Sequence, residues 1–214
     1  MNKLELGDLS ERLLGRCLRR QAEKIPDDLF VRANEERWSF GRVNELANSS
    51  ARGFAELGVG RGDTIAYLLD SCPDWIWTTL GANKLGAIWV PTNTDYKGSW
   101  LRESLVDSRA RVLVADAHLL ERAAQADALP FEHVLVRGKT GASLPAHVNP
   151  IPLEQLTQAP GGEPDDAELF YGDTAAILWT SGTTGKSKGV MQSHNVWIRA
   201  AQDGAVNSEL RGAR

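Results

Sequence analysis

The stretch Ala175-Ala176-Ile177-Leu178-Trp179-Thr180-Ser181-Gly182-Thr183-Thr184-Gly185-Lys186-Ser187-Lys188-Gly189-Val190 decides how the rest of the chain is read. Its first five residues are apolar and read as a buried strand that runs directly into a loop. From Thr180 to Val190 the loop holds three glycines, three threonines, two serines and two lysines, with no carboxylate. Glycines let backbone N–H groups approach an anion closely. Hydroxyls donate to phosphate oxygens, and lysine adds a mobile positive charge. A polyphosphate needs that combination, so the loop reads as phosphate-gripping. A solvated Gly/Ser/Thr linker has a similar composition. Position argues against a linker, because the loop follows an apolar strand and precedes a helix-like segment with Val196, Ile198, Ala200 and Ala201. That is where α/β proteins place ligand loops. The pattern G-x-x-x-x-G-K-[ST] is not met: Gly185-Lys186-Ser187 supplies its second half, but Thr180 stands where its first glycine belongs. The nucleotide kinase and GTPase readings are therefore rejected.

Outward from this loop, the chain alternates helical and strand-like segments. The apolar spacing of Leu13, Leu14, Cys17, Leu18 and Ala22 predicts a helix over Asp8–Lys24, capped by Ser10 and stopped at Ile25-Pro26. Leu29–Ala33 and Arg37–Phe40 read as a hairpin around Asn34-Glu35-Glu36. Val43, Leu46, Ala47, Ser50, Phe54 and Leu57 form the stripe of a second helix, with Gly58 at its left-handed C-terminal cap. Strands are expected at Thr64–Leu69, Ala87–Val90, Arg111–Val114 and His133–Val136. Helices are expected at Pro73–Leu85, Ser99–Asp107 and Ala117–Ala126. Apolar strands separated by helices imply an α/β fold: a partial doubly wound parallel sheet with flanking helices on both faces. Five of the nine prolines lie between Pro145 and Pro164, so residues 138–166 read as a Pro-rich surface connection without regular ladders. Trp75 and Trp77 stand two apart on one helix and cannot share a core, which leaves one of them uncovered.

The 214 residues are 42% hydrophobic and 24% charged, the composition of an ordinary globular domain, which excludes disordered and fibrous classes. A net charge of −4 argues against binding nucleic acid through bulk positive charge. Cys17 and Cys72 are too few for a disulfide scaffold and suit a reducing compartment. No export signal and no apolar run of membrane-spanning length is seen, so the expected location is cytoplasmic. His118, His133, His147 and His194 show no metal-ligand spacing, and no metal site is expected.

The order of residues is more specific than their composition. Thr180–Val190 resembles the signature T-S-G-T-T-G-x-P-K-G-V of the adenylate-forming enzymes, with Ser187 in place of the usual proline. Trp38-Ser39-Phe40, Glu45-Leu46 and Gly58-Val59-Gly60-Arg61-Gly62-Asp63 are similar to an early block of that superfamily. Lys84-Leu85-Gly86-Ala87-Ile88-Trp89-Val90-Pro91 with Asn93 is similar to its K-x-G-A-x-x-V-P-x-N block. These two blocks read as turn and core residues without chemistry. Within the superfamily the chain looks most like acyl-CoA synthetases of the fatty-acid or carnitine-CoA ligase type.

The resemblance implies a two-step reaction. A carboxylate attacks the α-phosphate of ATP, bound with Mg2+, to give an acyl adenylate and pyrophosphate; a thiol, usually coenzyme A, then displaces AMP. Positioning and charge stabilisation would carry such catalysis. Thr180, Ser181, Gly182, Thr183, Thr184 and Gly185 would hold phosphates, Lys188 would neutralise pyrophosphate and Lys186 would assist. The family's adenine-binding aromatic, Mg2+-binding glutamate, ribose-binding aspartate and catalytic lysine lie further along its members, and none is located before Arg214. Residues 1–214 thus read as the N-terminal portion of one large AMP-binding domain, without its C-terminal domain. A sheet cut midway leaves an open edge and favours pairing into a homo-oligomer. Two other readings stay open: a non-catalytic nucleotide-binding or pairing module, and part of a peptide-synthetase adenylation domain.

Overall fold

The computed structural model describes residues 8–139, 144–146, 148, 150–180 and 187–207. The elements are α1 (Leu14–Lys24), β1 (Leu29–Ala33), β2 (Glu36–Ser39), α2 (Phe40–Glu56), β3 (Thr64–Leu68), α3 (Asp74–Lys84), β4 (Ile88–Pro91) and α4 (Gly98–Asp107). They continue with β5 (Val112–Asp116), α5 (Ala117–Gln125), β6 (His133–Arg137), β7 (Pro150–Pro152), β8 (Thr174–Thr180), β9 (Lys188–Ser193) and α6 (His194–Asn207). A seven-stranded sheet has the order β7-β6-β5-β3-β4-β8-β9, and β1 and β2 form a separate antiparallel hairpin. Every pair in the large sheet is parallel except β8 with β9.

The strands are apolar on both sides because both sides are covered. Ile65, Tyr67, Val112, Val114 and Leu135 face Phe54 of α2 and Ala82 of α3. Their alternates Ala66, Leu68, Leu113, Ala115, Val134 and Val136 face Leu101 and Leu105 of α4 and Leu119 and Leu120 of α5. This is the doubly wound arrangement, with the change of helix face falling between β3 and β5. A third core joins α1, the hairpin, α2 and α3 through Leu18, Val31, Val43, Leu46, Ala47 and Trp77.

Several expectations are corrected. Leu9–Glu11 is a separate 310 turn, with the Ser10 N–H donating to Asp8 Oδ1, so Ser10 does not cap α1. The N-cap of α1 is Leu13, whose side chain has no capping atom. The hairpin turn is tighter than the sequence suggests: Ala33 pairs with Glu36, leaving only Asn34-Glu35, with Asn34 in the left-handed region at φ 53°. Ser39 ends β2 because its Oγ accepts the Arg42 N–H and starts α2. Trp75 and Trp77 do face different ways, yet neither is left uncovered. Trp75 stacks on Tyr67 at 4.7 Å between centroids, while Trp77 packs against Trp38 at 5.6 Å.

The Pro-rich connection also holds more structure than its composition suggested. Pro150-Ile151-Pro152 pairs in parallel with β6 at the sheet edge, and Leu153 and Leu156 of the following 310 turn are buried beneath α2. An edge strand donates on one side only, so prolines two residues apart are tolerated there. The chain then crosses back over α1, α2 and α3 to reach β8. Gly161 donates its N–H to Ser49 Oγ, Arg16 holds Asp166 in a fork at 2.8 and 2.9 Å, and Glu163 meets the buried Lys84.

Helices α2 and α3 touch at Gly81, where an added Cβ would stand 2.7 Å from Ala47 O and 2.8 Å from Ser50 Cβ. Backbone cannot yield as a side-chain tip can. Gly81→Ala is therefore expected to lower the unfolding free energy by about 1–3 kcal/mol in a urea titration. Unchanged stability would show that the helices separate freely.

Candidate functional site

Because β8 runs parallel to β4, its C-terminal residue Thr180 emerges at the edge where the other parallel strands also end. Ligands of open α/β sheets bind along this edge. The sequence anticipated a strand, a loop and then a helix. Instead Lys188, Gly189 and Val190 begin β9, and the segment is a hairpin whose last ladder pair is Thr180 with Lys188. Thr180 Oγ1 donates to the Lys188 carbonyl at 3.3 Å, and both residues are exposed. Lys188 keeps its place at the loop, now fixed by a ladder rather than carried on a free turn. Ser181, Gly182, Thr183, Thr184, Gly185 and Lys186 lie outside the described residues. The strand was missed because the four leading residues of β9, Lys188–Met191, are all exposed and the strand carries no apolar alternation. Gly189 is required by its neighbours, since a Cβ there would lie 2.8 Å from Ile177 Cγ2 and 3.4 Å from the Trp179 ring.

The hairpin is rooted by His194, which joins β9 to α6. Its side chain is fully buried, and its Nδ1 accepts the Leu14 N–H at 3.3 Å. Burial pushes the imidazole down to about 4, against a smaller opposing pull from Asp173. The unfolded chain thus binds a proton on His194 near its ordinary value of about 6.5 that the folded chain refuses. Stability from this group is complete above pH 6.5 and is lost as pH falls towards 4, by roughly 3 kcal/mol in all. His194→Asn is expected to flatten that part of the stability–pH curve, measured by denaturation at pH 7, 5.5 and 4.5. An unchanged slope would assign the acid loss to other groups.

Tertiary structure also gathers polar groups that sequence spacing does not relate. At the ends of β3, β5 and β6, the Asp70 N–H donates to Asp116 Oδ2 at 2.7 Å. Arg137 Nε stands 2.7 Å from Asp116 Oδ1, and His118 Nε2 stands 3.1 Å from Asp70 Oδ2. Asp70, Asp116 and His118 are the group among the described residues whose donor atoms lie close enough together to share a metal ion. Both oxygens of the buried Asp116 are already engaged, so the group acts as a clamp across three strand ends. Cys17 and Cys72 are both unpaired thiols. Burial raises each of them above the ordinary thiol range, so neither is a ready nucleophile.

A mostly parallel sheet wound on both faces, closing on an exposed antiparallel hairpin at its ligand edge, defines a doubly wound α/β domain. Within that class, the chain belongs to the AMP-binding enzyme family, whose pattern matches residues 18–213. It is 36% identical over 170 residues to the crotonobetaine/carnitine–CoA ligase of Escherichia coli O127:H6, an alignment covering 74% of this chain and 31% of that protein. It is 30% identical over 197 residues to tyrocidine synthase 3 of Brevibacillus parabrevis, covering 90% of this chain and 3% of the synthase. Among solved structures, the Mycobacterium tuberculosis fatty acyl CoA synthetase superposes with a TM-score of 0.67 at 27% identity, over 87% of this chain and 36% of that one. A putative long-chain-fatty-acid CoA ligase from Rhodopseudomonas palustris CGA009 gives 0.79 at 21% identity over 95% of this chain and 49% of that one, a likeness of fold. The chain thus spans about a third of the length of the carnitine-type ligase it matches.

Proposed function

We propose that this protein activates a carboxylic acid with ATP as an acyl adenylate and passes the acyl group to the thiol of coenzyme A. The observation that carries the reading is the hairpin: Thr180 and Lys188 are paired at the carboxyl edge of the sheet, and the sequence they bracket has the composition of a phosphate grip. Thr180 and Lys188 stand at its two ends, with Ser181, Gly182, Thr183, Thr184, Gly185 and Lys186 between them. In this reading the hydroxyls and backbone N–H groups hold the β- and γ-phosphates, and Lys188 neutralises charge as pyrophosphate departs. Mg2+ enters with ATP as the MgATP substrate. In this reading residues 1–214 are part of one AMP-binding domain.

The similarity to a crotonobetaine/carnitine–CoA ligase and to fatty acyl-CoA synthetases supports coenzyme A as acceptor. The similarity to tyrocidine synthase 3, which covers more of this chain, favours a second reading in which the acceptor is a carrier-bound thiol. No helix among the described residues is long and apolar enough to cross a membrane. A reducing, cytoplasmic location is proposed on the unpaired cysteines. Self-association is proposed at β9, an edge strand on which Val190 and Met191 are 39% and 68% exposed.

ATP–pyrophosphate exchange across a panel of carboxylic acids tests the activity. Acid-dependent exchange, followed by thioester formation with coenzyme A, is expected. Exchange without transfer to coenzyme A would select the carrier-thiol reading, and saturable MgATP binding without exchange would leave a nucleotide-binding module.

A further inference from the structure

The change of helix face falls between β3 and β5, and open α/β sheets bind ligands outside the carboxyl ends of the strands at such a point. Asp70 follows β3, Asp116 ends β5 and His118 stands in the first turn of α5. Asp116 occupies the N-cap position of α5, where a carboxylate ordinarily accepts a helix N–H, yet it makes no capping bond. Its side chain, only 4% exposed, is turned instead to the Asp70 N–H and to Arg137. Those contacts leave lone pairs on both oxygens, since an ionised carboxylate has about four acceptor sites. Arg137 Nε, although 2.7 Å away, is a buried N–H without a hydrogen-bond partner among the described residues, so its contact with Asp116 is ionic.

One ligand atom from each of Asp70, Asp116 and His118 lies within 4.8 Å of the other two. His118 Nε2 and Asp70 Oδ2 are 3.1 Å apart, close to the roughly 3–3.5 Å between two ligands that bind one ion at about 2.0–2.2 Å. Both side chains are exposed, so they can close on an ion while the buried Asp116 stays fixed. A cavity of about 510 Å³ adjoins them, with Asp116, His118, Glu121, Arg137 and Lys139 in its wall, and has room for waters that complete a coordination shell. Asp70, Asp116 and Glu121, with Asp74 near enough to feel Asp116, outnumber Arg137 and Lys139 by two charges, the charge of a divalent cation.

We propose that Asp70, Asp116 and His118 bind a divalent transition-metal ion at the carboxyl ends of β3 and β5, with Arg137 and the Asp70 N–H orienting Asp116 from behind. Ligating carboxylates are commonly held by such outer contacts. An imidazole beside two carboxylates suits Zn2+, Mn2+ or Co2+ better than Mg2+ or Ca2+, which prefer oxygen alone. Histidine spacing does not show the site, because two of its ligands are carboxylates that lie 46 residues apart. Strand β4 lies between these strands and β8, so the site is separate from the β8–β9 loop and independent of the nucleotide reading.

Calorimetric titration of Zn2+ into the 214-residue chain, without nucleotide, tests the site. One ion per chain is expected to bind, to raise the melting temperature and to survive about a hundredfold excess of Mg2+. His118→Ala and Asp70→Asn change exposed side chains, so both variants should fold, and each is expected to weaken binding about tenfold or more. Co2+ in place of Zn2+ should give visible bands without the near-ultraviolet absorption of a thiolate ligand, which separates this site from Cys17 and Cys72. Zn2+ bound equally by the parent and both variants would place the ion elsewhere and overturn the proposal. The absence of one-to-one binding, displacement by Mg2+ or a thiolate band would overturn it too. So would a loss in one variant alone, since a shared ion needs both ligands.

Discussion

Glu163→Ala is expected to lower the unfolding free energy by about 3 kcal/mol, among the larger effects of any single change in this chain. Lys84 is only 2% exposed in its side chain, and its Nζ donates to Glu163 and, at 2.9 Å, to Asn44 Oδ1. Removing the carboxylate strands a buried ammonium, and breaking such a pair costs about 3–5 kcal/mol. The low end applies because Asn44 remains and Glu163 is 29% exposed. The reverse deletion should be mild: Lys84→Met leaves Glu163 with Asn48 Nδ2 at 3.0 Å and Arg19 nearby. The double variant is therefore expected to recover most of the loss, as replacement of a buried ion pair by apolar groups often does.

The pH dependence has a definite sign. Burial holds the Lys84 ammonium below its ordinary value despite Glu163. Without Glu163 it should fall further, so the Glu163→Ala variant should regain stability as pH rises towards 10 and Lys84 sheds its proton in the folded state. Urea titrations at pH 7 and pH 9.5 measure this. A variant equally destabilised at both would show that the loss comes from the crossing strap itself, not from a stranded charge.

Lys188→Ala is expected to abolish measurable ATP–pyrophosphate exchange and to weaken MgATP binding by about 10- to 100-fold, the scale of a lost charge-assisted contact. The side chain is exposed, so stability should move by less than about 0.5 kcal/mol. That separation makes the result interpretable: activity falls while the melting curve stays. Lys188→Arg keeps the charge but replaces a compact ammonium with a planar fork, and partial activity is expected. Lys186→Ala should have a smaller effect, since Lys188 matches the lysine of the signature and Lys186 stands at a variable position of it. Unaltered exchange in Lys188→Ala would sink the assignment of the loop.

Much of the fold was legible in the sequence, for identifiable reasons. The strands at 64–68 and 112–116 are apolar on both faces, which only a sheet covered twice can use. Gly58, with φ +77°, sits just past the end of α2, where the sequence reading put the helix cap. Lys84 and its block were read as core without chemistry, and Lys84 is indeed buried in an ion pair that pins the crossing segment. Other features were not legible. Edge strand β7 hid behind two prolines, since proline argues against a ladder until one knows that the strand has only one neighbour. Strand β9 hid because its exposed residues carry no alternation, and only the row of β8 partners reveals it.

What the sequence by itself determined is the local chemistry and the period: which segments are apolar every residue, every second or every third and fourth, and which loop concentrates hydroxyls, glycines and lysines. Those properties belong to neighbouring residues and need no knowledge of the rest of the chain. Tertiary structure alone decided the strand order, the hairpin that frames Thr180 and Lys188, the clamp of Asp70, Asp116, His118 and Arg137, and the histidine that caps a helix 180 residues away. Each of these depends on donors and acceptors far apart in the chain. Their pairing is fixed by burial, because a polar group removed from water must find its partner wherever the fold brings one.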